Sequence, residues 1–198
     1  MGLEISKEKI HKLPIETFKG DIIVVDKKND VESAVNYLKQ FDTIGFDTET
    51  KPVFRKRVSH KVALMQLATN EKCFLFRLNL IQYPDILDSL ICSKNIVKVG
   101  LSLRDDFAAL RQRTDCPPLN FIELQSLVKN YGVKDISLQK IYAILFNKKI
   151  AKNQRLSNWE AKTLRESQKM YAAIDAWACL RIYNHLITHK TKINSIQK

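Results

Sequence analysis

The segments TIGFD (residues 43–47), VALMQLA (62–68) and CFLFR (73–77) are short, rich in β-formers and bounded by polar residues, the last two being separated by the turn-like Thr69-Asn70-Glu71-Lys72. Spacing of this kind predicts a three-stranded antiparallel meander. Upstream, Val31, Ala34, Val35 and Leu38 recur at helical spacing behind Asn29 and Asp30, which predicts an amphipathic helix ending near Phe41. Downstream the pattern changes to alternation: a helix over Pro84 to Ile91, a strand over Ile96 to Val99, a helix from Leu103 to Arg113, and a strand over Leu119 to Ile122. Alternating strands and helices imply parallel strands joined by crossover helices. Helices are predicted over Glu123 to Tyr131, over Leu138 to Phe146, and from a Thr163-x-x-Glu166 capping box onward. The expected class is α/β, with a mixed five-stranded sheet flanked by helices.

Composition limits the function. The 198 residues carry 33 Lys plus Arg against 21 Asp plus Glu, a formal charge of +12, with 45% hydrophobic residues and only 5 Gly and 5 Pro. That is a globular composition, neither disordered nor fibrous, and long enough for one domain with its own core. No apolar run approaches the roughly 18 residues of a membrane span, and MGLEISKEKI has charges where a signal peptide is apolar, so an intracellular protein without membrane attachment is expected. Cys73, Cys92, Cys116 and Cys179 are widely spaced and read as reduced core thiols.

The charge is concentrated. Residues 50–62 hold Lys51, Arg55, Lys56, Arg57 and Lys61 with no acid; residues 147–165 hold Lys148, Lys149, Lys152, Arg155, Lys162 and Arg165 against Glu160. Two such segments in a chain that is otherwise nearly balanced point to a polyanionic partner, nucleic acid above all.

Within this basic protein the acids at element ends carry the chemistry. Asp47 and Glu49 alternate along a strand end, project to one side, and can converge on one cation. Asp105 and Asp106 follow a buried strand in GLSLRDDFAAL (100–110), and Tyr171 and Asp175 share a helix face. Each feature alone also fits a bland reading: an acidic turn, first-turn acids complementing a helix dipole, or a surface helix.

In combination and in order, FDTET, GLSLRDDFAAL, SNW and YAAID resemble the DEDD superfamily of 3′→5′ exonucleases with the ribonuclease H-like fold. The Tyr-x-x-x-Asp spacing matches its tyrosine branch; the histidine branch would need His where Met170 stands. KVALMQLATNEKCFLF and RLSNWEAKTLRESQKMYAAIDAWACLRIY look most like the exonuclease domains of the Werner syndrome helicase and of ribonuclease D. The resemblance covers a core of about residues 22–188 between basic termini, so that residues 1–198 form a single exonuclease domain.

It implies hydrolysis of phosphodiester bonds from a 3′ end, DNA favoured, with RNA trimming of the ribonuclease D kind or a non-catalytic nucleic-acid-binding module as alternatives. Asp47, Glu49, Asp106 and Asp175 would hold two divalent cations, Mg²⁺ or Mn²⁺, roughly 3.5–4 Å apart, and Tyr171 would orient the attacking water. Asp106 fits the family spacing better than Asp105, although the doublet leaves one residue of ambiguity. Substrate contacts are expected at Thr48, Met65, Phe107, Lys51, Arg55 and Arg155, the basic ones tracking the phosphate backbone, and Trp159 as a structural anchor. Processivity is expected from a helicase or polymerase partner.

Overall fold

The computed structural model describes residues 3–52, 60–151 and 153–196, with side chains described up to residue 188. Six strands form one mixed sheet in the order β1-β4-β3-β2-β5-β6, where β1 is Asp21–Val25, β2 Thr43–Thr50, β3 Val62–Ala68, β4 Lys72–Phe76, β5 Val97–Gly100 and β6 Phe121–Glu123. The helices are α1 Lys7–His11, α2 Val31–Leu38, α3 Leu78–Ile81, α4 Asp88–Ile91, α5 Leu103–Leu110, α6 Leu124–Lys129, α7 Leu138–Phe146 and α8 Glu166–Ile196.

The expected meander is β2-β3-β4, antiparallel throughout, and β5 and β6 continue the sheet in parallel beyond β2. The sheet has six strands rather than the expected five. The additional one is β1, DIIVV, which pairs in parallel with β4 from Asp21↔Lys72 to Val25↔Phe76. As a half-buried edge strand it shows no clear alternation, so periodicity could not separate it from an ordinary apolar stretch.

Strand alternation sorts the core. Phe46, Met65 and Leu67 face one side, where they pack with α2, α3, α4 and α5 through residues such as Val35, Leu38, Leu78, Leu90 and Leu110. Leu64, Ala68 and Leu75 face the other side and meet Ala172, Ala173 and Ala176 of α8. Farther along that side, Val99 packs with Leu124, Ile141, Tyr142 and Ile182 from α6, α7 and α8. β2 and β3 lie at the centre, covered on both faces, which is why β3 is buried at every position.

α8 begins at Glu166, three residues after the expected N-cap Thr163. Its lead-in is held by Gln168, whose side chain accepts from the Arg165 backbone N–H at 3.1 Å and donates to the Asn158 carbonyl at 3.4 Å. Trp159 is fully buried, 6.0 Å from the Tyr171 ring, and Arg77 donates to the Ala161 carbonyl, so the 158–161 turn is anchored as expected. The reading of four free thiols is corrected: Cys92, at the end of α4, is joined to Cys116 as a disulfide with Cα atoms 6.3 Å apart, while Cys73 and Cys179 are free and buried. Residues far apart in sequence had to be folded together before that pair could be seen.

An unforeseen ionic cluster ties the N-terminal segment to the helices. Glu16, 7% exposed, accepts from Tyr142 at 3.0 Å, Lys148 at 3.0 Å and Arg181 at 2.8 Å, and Lys149 donates to the His11 carbonyl. Burial raises the Glu16 pKa, but the hydrogen bonds and the nearby Arg181 charge outweigh it and hold the carboxyl below its ordinary value. A lowered pKa gives stability that is complete above the unfolded value and lost as pH falls through the folded one, so this cluster weakens only on the acid side. Lys148 and Arg181 remain a third or more exposed, so solvent screens part of the attraction. Glu16→Gln is expected to cost about 2 kcal/mol at pH 7, less than the roughly 3–5 kcal/mol of a fully buried pair, and to lower Tm by about 4–8 °C in a calorimetric melt. That difference should vanish in acid.

Candidate active site

The acids meet where β2 emerges from the sheet. Asp47 and Glu49 project to the α8 face, and α8 brings Asp175 and, one turn earlier, Tyr171 to the same place. One carboxylate oxygen from each of Asp47, Glu49 and Asp175 lies within 4.8 Å of the others. The approach of α8 depends on Gly45. A Cβ there would stand 2.0 Å from the Ala176 carbonyl oxygen, so the helix lies directly on the strand only because residue 45 has no side chain.

Asp106 arrives from the opposite side. Thr48 points away from Asp47 and Glu49, toward the face covered by α5, and its hydroxyl donates to the Asp106 carboxylate. Asp105 turns outward, its side chain 84% exposed beside Arg104. The structure thus separates the doublet: Asp106 faces the strand and Asp105 faces solvent. α5 itself is set by Glu123, a residue without a recognisable sequence signal, whose carboxylate accepts from the N–H groups of Ser102 at 3.1 Å and Leu103 at 2.8 Å, and from Gln125 at 3.0 Å. One carboxylate therefore caps the starts of both α5 and α6. Ser102 takes the left-handed conformation, φ 62°, at the tight entry to α5.

A cavity of about 360 Å³ opens from the acids, lined by Asp47, Tyr171, Asp175 and Arg155, and extends past Ser102 and Gln125. Lys51 lies nearby in an ion pair with Glu160 at 3.3 Å, and His60 reaches the same carboxylate at 3.8 Å. The described ends of the first basic window therefore adjoin the second. Arg55, with Lys56, Arg57 and Lys152, lies outside the described residues. Lys148 and Lys149 are engaged with the N-terminal segment and do not extend the basic strip. Phe107 is half-buried, its ring 4.9 Å from Phe121. Met65 is fully buried among the residues of the face covered by α2 to α5.

Charge repulsion dominates the electrostatics. Burial first, then Asp106, Asp175 and Glu49, push the Asp47 pKa well above a normal carboxylate. Burial, Asp175 and Asp106 raise Glu49 to about 9, and burial raises Asp106 to about 6. Tyr171 is raised by burial and by Asp175, Glu49 and Asp47, so its phenol stays protonated and donates to Asp175. Several carboxylates gathered out of water fit a hard divalent cation, which supplies oxygen-seeking positive charge in place of protons. For an acid with a raised folded pKa, stability is lost as pH rises from the unfolded value through the folded one. The metal-free protein should therefore weaken between pH 6 and pH 9, and Mg²⁺ or Mn²⁺ should raise Tm by a larger increment at pH 8.5 than at pH 6. Fluorimetric melts with and without EDTA check this; an increment independent of pH would contradict it.

The mixed sheet and its flanking helices form a fold of the ribonuclease H-like kind. The chain belongs to the 3′-5′ exonuclease family, whose model matches residues 22–189. It is 32% identical over 184 residues to the mouse bifunctional 3′-5′ exonuclease/ATP-dependent helicase WRN, covering 88% of this chain and 13% of that protein. With the fruit-fly (Drosophila melanogaster) exonuclease 3′-5′ domain-containing protein 2 it shares 35% identity over 155 residues, 76% of this chain and 26% of that one. The chain thus spans a minor part of both relatives. In fold it is similar to the EXO domain of Aedes aegypti Nibbler, with TM-score 0.80 and 22% identity over 90% of this chain and 94% of that one. Escherichia coli ribonuclease D gives TM-score 0.75 and 22% identity, over 83% and 44%. Among the described residues no helix is long and apolar enough to cross a membrane.

Proposed function

We propose that this chain is a metal-dependent 3′→5′ exonuclease that hydrolyses the terminal phosphodiester bonds of nucleic acid, with DNA preferred to RNA. The observation that carries the reading is the convergence of Asp47, Glu49 and Asp175 within 4.8 Å at the mouth of a cavity that Arg155 also lines. Asp47, Glu49, Asp106 and Asp175 are the residues that would hold two divalent cations. When bound, such ions lower the pKa of the attacking water and neutralise charge on the leaving 3′ oxygen.

The chain's own groups do the rest. Tyr171, kept protonated by its surroundings, orients the water through its hydroxyl and does not take the water's proton. Thr48 holds Asp106 in place across the strand. Arg155 and Lys51 offer positive charge to the incoming phosphates, and Phe107 gives a ring edge near the acids; contacts of this type grip the backbone without reading sequence.

The preference for DNA follows the likeness in sequence to the exonuclease/helicase, while likeness to ribonuclease D lies at the level of fold. A helicase or polymerase partner that delivers 3′ ends is in keeping with the mouse relative, which joins exonuclease and helicase in one protein. An intracellular location accompanies that role.

The test uses 5′-labelled single strands of matched DNA and RNA sequence, with Mg²⁺ or Mn²⁺. The expected result is a ladder descending from the 3′ end, at least about tenfold faster on DNA, and no products in EDTA. Faster degradation of RNA would transfer the assignment to RNA 3′-end trimming; binding without any products would leave a non-catalytic nucleic-acid-binding module.

A further inference from the structure

β3 is apolar at every position but one. Gln66 stands in the middle of VALMQLA, is 0% exposed, and has no hydrogen-bond partner for either its Oε1 or its Nε2 among the described residues. Other buried polar side chains have one orphaned atom, as with the Arg77 Nε and the Asn79 Oδ1, and each of those two side chains makes a bond elsewhere. An amide with both ends unsatisfied in a dry core is costly, and an apolar residue of similar length would fill the same space without that cost.

Its place in the register gives a reason for it. Gln66 lies directly opposite Asp47 in the antiparallel β2–β3 pair. Residues opposed in this way project to the same face with Cβ atoms about 4.5–5.5 Å apart. On that face Gly45 is opposite Ala68 and Glu49 is opposite Leu64, and α8 covers the strip with Ala172, Ala173 and Ala176. On the other flank Gln66 is paired with Leu75. The surroundings are thus mostly apolar, and the carboxylate across the strand pair belongs to Asp47.

We propose that Gln66 is a positioning residue for Asp47: its side-chain N–H donates to the Asp47 carboxylate when divalent cations occupy the acidic cluster, and so fixes the orientation in which that carboxylate serves as a ligand. This rests on the reading of Asp47 as a metal ligand. Partners of this kind typically change metal affinity by 10- to 100-fold, because a carboxylate that must be oriented on binding is a poorer ligand than one already held.

The experiment is calorimetric titration of the metal-free full chain with Mn²⁺ alone, together with melts in EDTA. Gln66→Met keeps length and burial but removes the donor. It should melt in EDTA at or above the wild-type temperature and bind Mn²⁺ about 10- to 100-fold more weakly. Gln66→Asn, which keeps the amide on a stem one methylene shorter, should lie between Met and wild type in Mn²⁺ affinity. Wild-type Mn²⁺ affinity in Gln66→Met, with binding lost in Asp47→Asn, would overturn the proposal and leave the metal site standing. A lower melting temperature of Gln66→Met in EDTA would also overturn it, since Gln66 would then support the fold itself. Undiminished Mn²⁺ binding in Asp47→Asn would instead remove the metal-site reading beneath it.

Discussion

Asp47→Asn is expected to abolish exonuclease activity, with a loss on the order of 10³-fold or more in kcat, while leaving the fold intact. Asp47 lies at the centre of the cluster: the charges of Asp106, Asp175 and Glu49 all act on it. The amide keeps the size of the side chain but cannot take up the role of an anionic ligand. Because the change also removes one of several mutually repelling carboxylates, the variant should melt above the wild type in EDTA at pH 8, and the order should reverse once Mn²⁺ is added. Gain of stability without metal alongside loss of turnover separates a ligand from a structural residue. Products at near wild-type rate would sink the assignment of Asp47.

Gly45→Ala should produce a large loss of stability from a single added methyl group. The new Cβ would meet a backbone carbonyl at 2.0 Å, and the obstacle is the body of α8, which cannot swing aside as a side chain can. We expect a cost of about 3 kcal/mol and a fall in Tm of roughly 6–12 °C. Activity should fall as well, by about 10²-fold, because the same displacement carries Asp175 and Tyr171 away from Asp47, two residues from the clash. Gly100→Ala is the matched control. Its nearest obstacle is the flexible end of the Leu103 side chain at 2.4 Å, so a smaller effect on Tm is expected. Equal effects at the two glycines would show that the strand–helix contact does not set the site.

The largest part of the fold was legible because its signals are local. Runs of β-formers between polar residues marked β3 and β4, helical spacing marked α2, and the change from meander to strand–helix alternation distinguished antiparallel from parallel pairing. β1 escaped because a short edge strand, half covered, has neither an alternating pattern nor a buried run. The pairing of Cys92 with Cys116 and the cluster around Glu16 escaped for a different reason: both join residues distant in sequence, and nothing in either partner's neighbourhood announces the other. Glu123 is a similar case. Its importance lies in the N–H groups of Ser102 and Leu103 that it caps, and those are supplied by another element.

The candidate site divides in the same way. Spacing alone put Asp47 and Glu49 on one side of a strand and Tyr171 and Asp175 on one side of a helix, because strand and helix periods are properties of the backbone. Side-chain periodicity says which residues of an element share a face, but not which element will cover it. Only the tertiary structure decided that α8 lies against the Asp47 face while α5 lies against the Thr48 face. That arrangement turned Asp106 toward Thr48 and Asp105 toward solvent, placed Met65 in the core, and set Gln66 across from Asp47 with no hydrogen-bond partner among the described residues.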